Sequence, residues 1–369
     1  MSVVDDVQTV VEGKPPAADR MTGRMRLILV VLLVAQFMLA VDFSILNVAL
    51  PVIGQGLGFS LSNLQWIATA FALCAAGFTL FFGRVADLFG RRRLFLLGLG
   101  LLGVSSLVGG LATSPEMLIA ARVAQGLATA AVTPAGLSLL TTSFPEGPLR
   151  SKALGLNGAL MSAGFTTGAI LGGVLTDLLS WRWSFFINVP VALAVLIIAP
   201  SVIKESRPTD RPKLDLPGAV TVTVGLLALV FGLTQAGEQG WGSATALVSL
   251  LVGLVLLVAF YAVEKRSASP LVPVSVLKRR TVAWGNIAGL IAFVTETSLV
   301  FLMTLYLQEV LRLSAFRTGL IFGVQGVVSV GAGIVAPKVI GRLGARRTLL
   351  TGLLLQAAFT AALLGVGTG

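Results

Sequence analysis

Eleven apolar stretches of about twenty residues recur along this sequence, separated by short clusters of charged residues, proline and glycine. Each is long enough to cross the roughly 30 Å hydrocarbon layer of a bilayer as one helix. Only 12% of the 369 residues are charged and 56% are hydrophobic, whereas soluble domains carry about 25% charged residues. We therefore predict an all-α polytopic membrane protein whose main partner is the lipid bilayer. The predicted spans are 27–52, 62–83, 94–112, 116–141, 152–178, 184–203, 216–235, 243–263, 281–307, 317–340 and 348–366.

The positive charge of the chain is distributed according to this topology. Lys and Arg are concentrated in the N-terminal tail and in every second connection between spans, whereas the other connections hold only Arg182, Arg312 and Arg317. Basic residues favour the cytoplasmic side, so the sequence predicts a cytoplasmic N-terminus in a cell (inner) membrane. The net charge of +11 reflects this topology. No nucleic-acid partner is expected, because the basic clusters are short and interrupted by spans.

Several chemistries are excluded by composition. Cys74 is the only cysteine and there is no histidine, so we expect no intrachain disulfide, no His-ligated metal site and no His-based catalytic triad. We therefore expect no enzymatic activity, no bound metal and no cofactor. The phosphate-binding pattern G-x-x-x-x-G-K-[ST] is missing, which favours the proton gradient over ATP as the energy source. Carboxylates must then carry any proton chemistry.

Three charged residues lie well inside predicted spans: Asp42, Arg122 and Glu296. A charge inside a bilayer costs several kcal/mol unless it faces a cavity or a partner. Asp42 and Glu296 lie at similar depth, roughly 22 Å of helix from the cytoplasmic start of their spans, and both are predicted to line a central cavity. Arg122 enters from the other side and could reach the level of Asp42.

The roles of these charges stay open between alternatives. The Asp42 and Arg122 pair is either a structural ion pair or a site where a moving Arg122 switches Asp42 between its protonated and ionised states. Glu296 is either a proton carrier or a recognition site for lipophilic cations; a wholly structural role is disfavoured, because no Lys or Arg lies in the same span to pair with it. Phe37, Phe43 and Phe293 are candidates for substrate contact.

The segment between the second and third spans is rich in glycine and arginine, with residues Gly83, Arg84, Asp87, Gly90, Arg91 and Arg92 in a characteristic order. Glycines suit a tight turn, and an acid among arginines can pair locally while meeting the positive N-terminus of a neighbouring helix. This order resembles motif A of the major facilitator superfamily. The resemblance implies a latch on the cytoplasmic face that stabilises the outward-facing state. A degenerate copy at 338–347 supports a fold of two repeated helix bundles.

Further segments resemble the fourteen-helix drug:proton antiporters of that superfamily. The segments 42–51 and 181–190 are similar to signatures of this branch, 122–126 is similar to motif B, whose arginine is implicated in proton coupling, and 164–173 is similar to the antiporter motif C. The last departs at Ala169, where the family usually has proline. The glycines of this segment allow either close helix packing or a hinge; they are Gly164, Gly168, Gly172 and Gly173.

The resemblance implies a major facilitator fold that performs proton-coupled efflux of small organic or drug-like molecules, with protons and a small hydrophobic or cationic substrate as partners. We expect a disordered tail at 1–26, a six-helix bundle at 27–203, two extra helices within 204–280, and three helices of a second bundle at 281–369. Because three helices are half a bundle, the chain is expected to be truncated at its C-terminal end. The alternatives are a dedicated exporter of an endogenous metabolite, such as an antibiotic or siderophore, and a non-transporting membrane protein.

Overall fold

The computed structural model describes residues 21–206, 215–267, 270–272 and 274–365. Within these ranges the chain is helical and contains no strand. Eleven long helices occupy the positions of the predicted spans: α1 (Gly23–Leu57), α2 (Trp66–Phe89), α3 (Arg91–Gly110), α4 (Pro115–Ser143), α5 (Pro148–Leu178), α6 (Trp183–Val202), α7 (Leu216–Gln239), α8 (Ala244–Arg266), α9 (Arg280–Val310), α10 (Ala315–Leu343) and α11 (Ala345–Ala362). Two short helices, Leu61–Leu64 and Val274–Leu277, precede α2 and α9.

Three helices begin before their apolar windows, where a polar residue caps the first turn. Thr22 accepts a hydrogen bond from the Met25 backbone N–H, and α1 begins at Gly23. The prediction of a tail up to residue 26 is therefore wrong for its last four residues, and residues 1–20 lie outside the described part. Ser114 and Ser314 cap α4 and α10 in the same way. A serine or threonine at this position satisfies a backbone N–H that the first helical turn leaves without a partner.

Nine of these helices, α1 to α9, are long and apolar enough to cross a membrane, judged by length and composition over the described residues. Two of them are irregular. α6 consists of Trp183–Phe186 and Asn188–Val202, and α9 ends in a π-helical turn at Tyr306–Val310. The prediction of a polytopic all-α membrane protein is confirmed.

Within the first six helices, α1 packs against α5, α6 and α4, and α4 also packs against α2 and α3. Two apolar clusters hold this group together. One contains Leu32, Phe95 and Leu139, and the other contains Ile45 and Phe185 towards the opposite end of the bundle. The polar side chains described below lie between these clusters.

The helices α7 and α8 pack against each other, and α7 also packs against α2. At one end of this contact Glu238 accepts hydrogen bonds from Gln65 and from the indole of Trp66, at 2.7 and 2.9 Å. Further along, Leu227 lies over Gly77, where an added Cβ would come within 3.0 Å of the leucine side chain. The extra helix pair is thus held against the second helix of the first bundle.

Candidate functional site

Asp42 lies at the centre of a buried polar network that joins four helices. Its Oδ2 atom is 3.3 Å from Nη1 of Arg122, and its Oδ1 atom accepts hydrogen bonds from Gln125, at 3.1 Å, and from Asn188. The hydroxyl of Ser106 accepts from the same two amide groups, at 2.8 and 3.0 Å. Both Asp42 and Arg122 are 1% exposed. Since a buried charge needs both a counter-charge and hydrogen bonds, this network accounts for the carboxylate at this depth.

The Arg122 guanidinium also contacts α2. Its Nε–H donates to the backbone oxygen of Ile67 at 2.9 Å, and its central carbon lies 4.1 Å from the ring centroid of Phe71, one turn further along. A second donation goes to Gln125 Oε1 at 2.9 Å. A cation–aromatic contact gains about 2 kcal/mol or more when the two groups are desolvated. The position of Arg122 therefore depends on α2 as well as on Asp42.

A cavity of about 410 Å³ lies between the first bundle and the helices α9 and α10. Its lining residues are Leu39, Ala40, Phe43, Thr129, Thr133, Met161, Ser162, Phe165, Thr166, Ala169, Phe293, Glu296, Thr297, Val300, Phe322, Gln325 and Ser329. This size and mixed lining suit a small organic ligand. Within the described chain, Glu296 is the only charged residue of this lining.

Glu296 and Asp42 do not share this cavity. Glu296 lines it, and its side chain is exposed, with no hydrogen bond or ion pair to any described residue. Asp42 is buried on the other side of α1, facing Arg122. The prediction that both carboxylates line a central cavity is therefore wrong for Asp42. The neighbouring residue on α1 is Phe43, which does line the cavity, since successive residues of a helix point in directions about 100° apart.

Phenylalanine rings form one wall of the cavity. The ring centroid of Phe43 lies 6.1 Å from that of Phe165 and 6.2 Å from that of Phe293. Phe293 belongs to α9, so this aromatic wall includes residues from both groups of helices. Phe37, the third aromatic candidate from the sequence, packs in the apolar cluster around Ile45 and is absent from the cavity lining.

The cavity is closed at the end away from Gly90. There the carboxylate of Asp177 accepts a hydrogen bond from the Phe316 backbone N–H at 2.9 Å, and Gln308 donates to the Val48 backbone oxygen at 3.2 Å. Next to these hydrogen bonds an apolar cluster packs between the first bundle and the helices α9 and α10. Its buried members are Val48, Ala169, Val300, Ala315 and Phe322. The close glycine contacts between α5 and α10 run from Gly173 against Ala315 at this end to Gly326 against Thr166, and towards the other end an added Cβ at Gly158 or Gly331 would meet nothing within 4 Å.

The glycines of α5 lie in close helix contacts. An added Cβ at Gly164 would approach the Phe37 backbone oxygen to 2.8 Å, and at Gly168 and Gly172 it would overlap backbone atoms of α1. Gly173 faces the opposite direction, against the backbone of Ala315 at the start of α10. Small residues allow such approaches between helices. These contacts support the packing interpretation, while the hinge role stays a prediction.

The residues of the Gly- and Arg-rich segment are almost entirely helical. Gly83, Arg84 and Asp87 lie within α2, and α3 begins at Arg91, so Gly90 alone separates the two helices. Gly90 has φ +111°, a conformation that favours glycine. The prediction of a loop around Gly83 is therefore wrong, because the turn needs only one residue. Asp87 forms an ion pair with Arg91, four residues later, at 2.9 Å.

The N-terminus of α3 is capped by Glu205, which sequence reasoning did not identify. The Glu205 carboxylate accepts the backbone N–H groups of Arg92 and Arg93, at 3.0 and 3.2 Å. Arg92 in turn donates to the backbone oxygens of Pro200 and Ile203, at 3.3 and 3.0 Å. A carboxylate at a helix N-terminus is stabilised by the helix dipole. This contact holds the end of α6 against the start of α3.

Other members of the site also escaped prediction as individual residues. Asn188 lies in the segment 181–190, which the sequence marks only as a whole, and Ser106 and Phe71 carry no signal in their apolar stretches. Gln125 lies in the segment 122–126, where the sequence singles out only the arginine. No group of three or more Cys, Asp or Glu side chains in the described ranges is placed to hold a metal ion.

These features define the class of protein. A multi-pass helical membrane protein with two groups of helices around a cavity, and with a buried ion pair beside it, has the architecture of a secondary transporter. The Major Facilitator Superfamily pattern matches residues 32–369, and the chain belongs to that family.

Sequence relatives of the chain include proteins named for antibiotic export and antibiotic resistance. The chain is 43% identical over 328 residues to the cephamycin export protein CmcT of Amycolatopsis lactamdurans, covering 88% of this chain and 68% of the relative. It is 39% identical over 337 residues to the puromycin resistance protein pur8 of Streptomyces alboniger, covering 91% and 67%. The lincomycin resistance protein of Streptomyces lincolnensis is 37% identical, with 89% and 68% covered. The chain thus spans about two thirds of the length of these relatives.

Solved structures share the fold at low sequence identity. The POT family transporter PepTSo superposes with a TM-score of 0.57 at 14% identity, covering 88% of this chain and 71% of that structure. The human organic anion transporter MFSD10 gives a TM-score of 0.52 at 17% identity, covering 84% and 71%. The prediction of a major facilitator fold is confirmed.

Proposed function

We propose that this chain is the transport unit, or part of it, of a proton-coupled exporter of small organic molecules that carry a positive charge and an apolar ring system. The observation that carries this proposal is Glu296, a carboxylate without a partner in the described chain, facing a cavity walled by Phe43, Phe165 and Phe293. A carboxylate attracts a cation electrostatically, and aromatic faces bind both cations and flat apolar groups. Glu296 then serves in substrate recognition, and we expect no catalytic activity.

The proton site in this proposal is Asp42. Its carboxylate is separated from the cavity by the backbone of α1 and faces Arg122, so it can change protonation without competing for the substrate. Protonation would neutralise Asp42 and weaken its contact with Arg122, which is still held by Ile67 and Phe71. Two separate sites suit exchange of a proton for a substrate in a family whose members work by alternating access.

The orientation belongs to the proposal as well. With the N-terminus in the cytoplasm, the end that holds Gly90, Asp87 and Arg91 faces the cytoplasm. The cavity opens towards it in this proposal, since the close contacts of α5 with α10 lie towards the other end. The structure then corresponds to an inward-facing state, in which the segment around Asp87 makes contacts within its own bundle. Rearrangement of these contacts is the proposed latch function of this segment.

A second candidate is export of a single antibiotic. The names of the relatives given above refer to cephamycin, puromycin and lincomycin, each a defined compound. The cavity would then be selective for one molecule, with the same carboxylate and aromatic wall.

Ethidium efflux from cells tests the proposal. The chain would be expressed as it is and, because its relatives are longer, also extended with the C-terminal part of the cephamycin export protein. We expect efflux that a protonophore abolishes, and at least a tenfold loss with Glu296→Gln. Glu309→Gln is the matched control, since this glutamate lies on the same helix, outside the cavity, and pairs with Arg312. Wild-type efflux by Glu296→Gln would refute a recognition role, and efflux of one antibiotic without ethidium efflux would favour the second candidate.

A further inference from the structure

Phe71 connects two parts of the site that are otherwise separate. It is 1% exposed on α2 and does not line the cavity. One face of its ring carries the Arg122 guanidinium, whose central carbon lies 4.1 Å from the ring centroid. Ile67, one turn earlier on α2, binds Nε–H of the same guanidinium through its backbone oxygen at 2.9 Å. On α2, Arg122 is therefore positioned by one backbone oxygen and one aromatic ring.

The same ring contacts the wall of the cavity. Phe43 meets Phe71 edge to face, with centroids 5.9 Å apart and an interplanar angle of 62°. Phe43 also contacts Phe165 and Phe293 within the cavity lining. A continuous series of ring contacts thus leads from the cavity through Phe43 and Phe71 to Arg122, and Arg122 faces Asp42.

We propose that Phe71 is a positioning residue that couples occupation of the cavity to the ion pair of Asp42 and Arg122. This inference rests on the proposed function. A substrate that packs against Phe43 displaces its ring, and Phe71, which is fully buried and in contact with that ring, shifts with it. The Arg122 guanidinium then shifts relative to Asp42. When it approaches, the carboxylic acid of Asp42 releases its proton to water; when it withdraws, the carboxylate takes up a proton.

The surroundings of Asp42 leave Arg122 as the charge that can act in this way. From α3, α4 and α6 the carboxylate is faced by the neutral groups of Ser106, Gln125 and Asn188, and Arg122 is the charged group in contact with it. No other ion pair of Asp42 occurs in the described chain. Glu296 on α9 is the titratable group of the cavity, and its contribution has to be measured separately.

The test is ethidium affinity as a function of pH, measured by fluorescence on the purified chain in lipid nanodiscs. Coupling between two sites is reciprocal, so protonation of Asp42 must change ethidium affinity by the factor with which ethidium changes proton affinity. We expect a change of at least about fivefold between pH 5.5 and 8.5, at the lower end of typical couplings. Asp42→Asn removes the share of this change that belongs to Asp42, and Glu296→Gln, measured in parallel, separates any share of the cavity carboxylate.

Phe71→Leu should remove the same share of the pH dependence as Asp42→Asn. At the pH of tightest binding, its ethidium affinity should stay within about threefold of the wild-type value, because the Phe71 ring does not touch the ligand. Phe95→Leu is the matched control: Phe95 is also fully buried, in the apolar cluster around Leu32, and its loss should leave the pH dependence intact. Incorporating 3,4,5-trifluorophenylalanine at position 71 weakens the cation contact with little change of shape, and should give an intermediate effect even if Phe71→Leu does not fold.

The outcomes separate the two proposals. A full pH dependence in both position-71 variants would overturn the coupling role of Phe71 and leave the proposed function standing. Absence of ethidium binding, or of any pH dependence that Asp42→Asn removes, would refute the proposed function and with it this inference.

Discussion

The pair of Asp42 and Arg122 should behave as one unit when it is mutated. Asp42 is held by one charge contact and two amide donors, and Arg122 by Asp42, Gln125 and the backbone of Ile67. Both are 1% exposed, so either single change leaves the remaining charge buried without its counter-charge. Breaking such a pair costs about 3–5 kcal/mol. We expect losses of this size for Asp42→Asn and for Arg122→Gln.

The double variant should recover most of this loss. With both charges removed, Asn and Gln can still take part in the hydrogen bonds of Gln125, Asn188 and Ser106, and no buried charge remains. We therefore expect the double variant to lose about 2 kcal/mol or less, which corresponds to a coupling of several kcal/mol in the mutant cycle.

The assay is reversible unfolding in mixed micelles of sodium dodecyl sulfate and a mild detergent, followed by circular dichroism. All four proteins of the cycle would be measured under one condition. Single losses that add up in the double variant would refute the account, because they would mean that the two side chains are stabilised independently.

Two further predictions concern helix contacts. Gly168→Val should destabilise the protein by roughly 1–3 kcal/mol or more, because the new side chain overlaps the α1 backbone. The control is Gly155→Val, on the same helix in open space. Equal effects of the two changes in thermal unfolding would contradict the packing interpretation. Glu205→Ala should cost about 1 kcal/mol through loss of the cap of α3, while Glu146→Ala, which removes an exposed ion pair with Arg150, should cost about 0.5 kcal/mol or less. A larger loss for Glu146→Ala would count against the capping role.

The sequence predicts the helices well because length and apolar composition are sufficient to identify a membrane span. All eleven spans correspond to long helices, with ends that move by a few residues where a cap such as Thr22 extends the helix. The sequence also indicates which charged residues are candidates for the functional site, because a charged residue inside a span is rare and energetically costly. The depths of Asp42 and Arg122 along their helices correctly suggest that they can meet.

The direction in which each side chain faces is much harder to predict. Position along a span gives depth but not rotation about the helix axis, and one residue separates Asp42, which faces Arg122, from Phe43, which faces the cavity. Contacts between distant segments are equally hidden. Glu205 caps α3 from the far end of α6, and nothing in its local sequence indicates that partner. The aromatic contact of Phe71 is hidden for a similar reason, since a phenylalanine in an apolar span is usual.

The central claim is that a proton bound at Asp42 is exchanged for substrate, and proton movement driven by the substrate tests it most directly. Inverted membrane vesicles containing the chain, extended as described above, would be energised to an acidic interior, and the interior pH followed with a quenched acridine dye while ethidium is added. The account predicts that ethidium releases protons from the interior, that Asp42→Asn abolishes this release, and that Glu309→Gln leaves it unchanged. Ethidium transport without proton release, or release that persists at the same rate in Asp42→Asn, would contradict it.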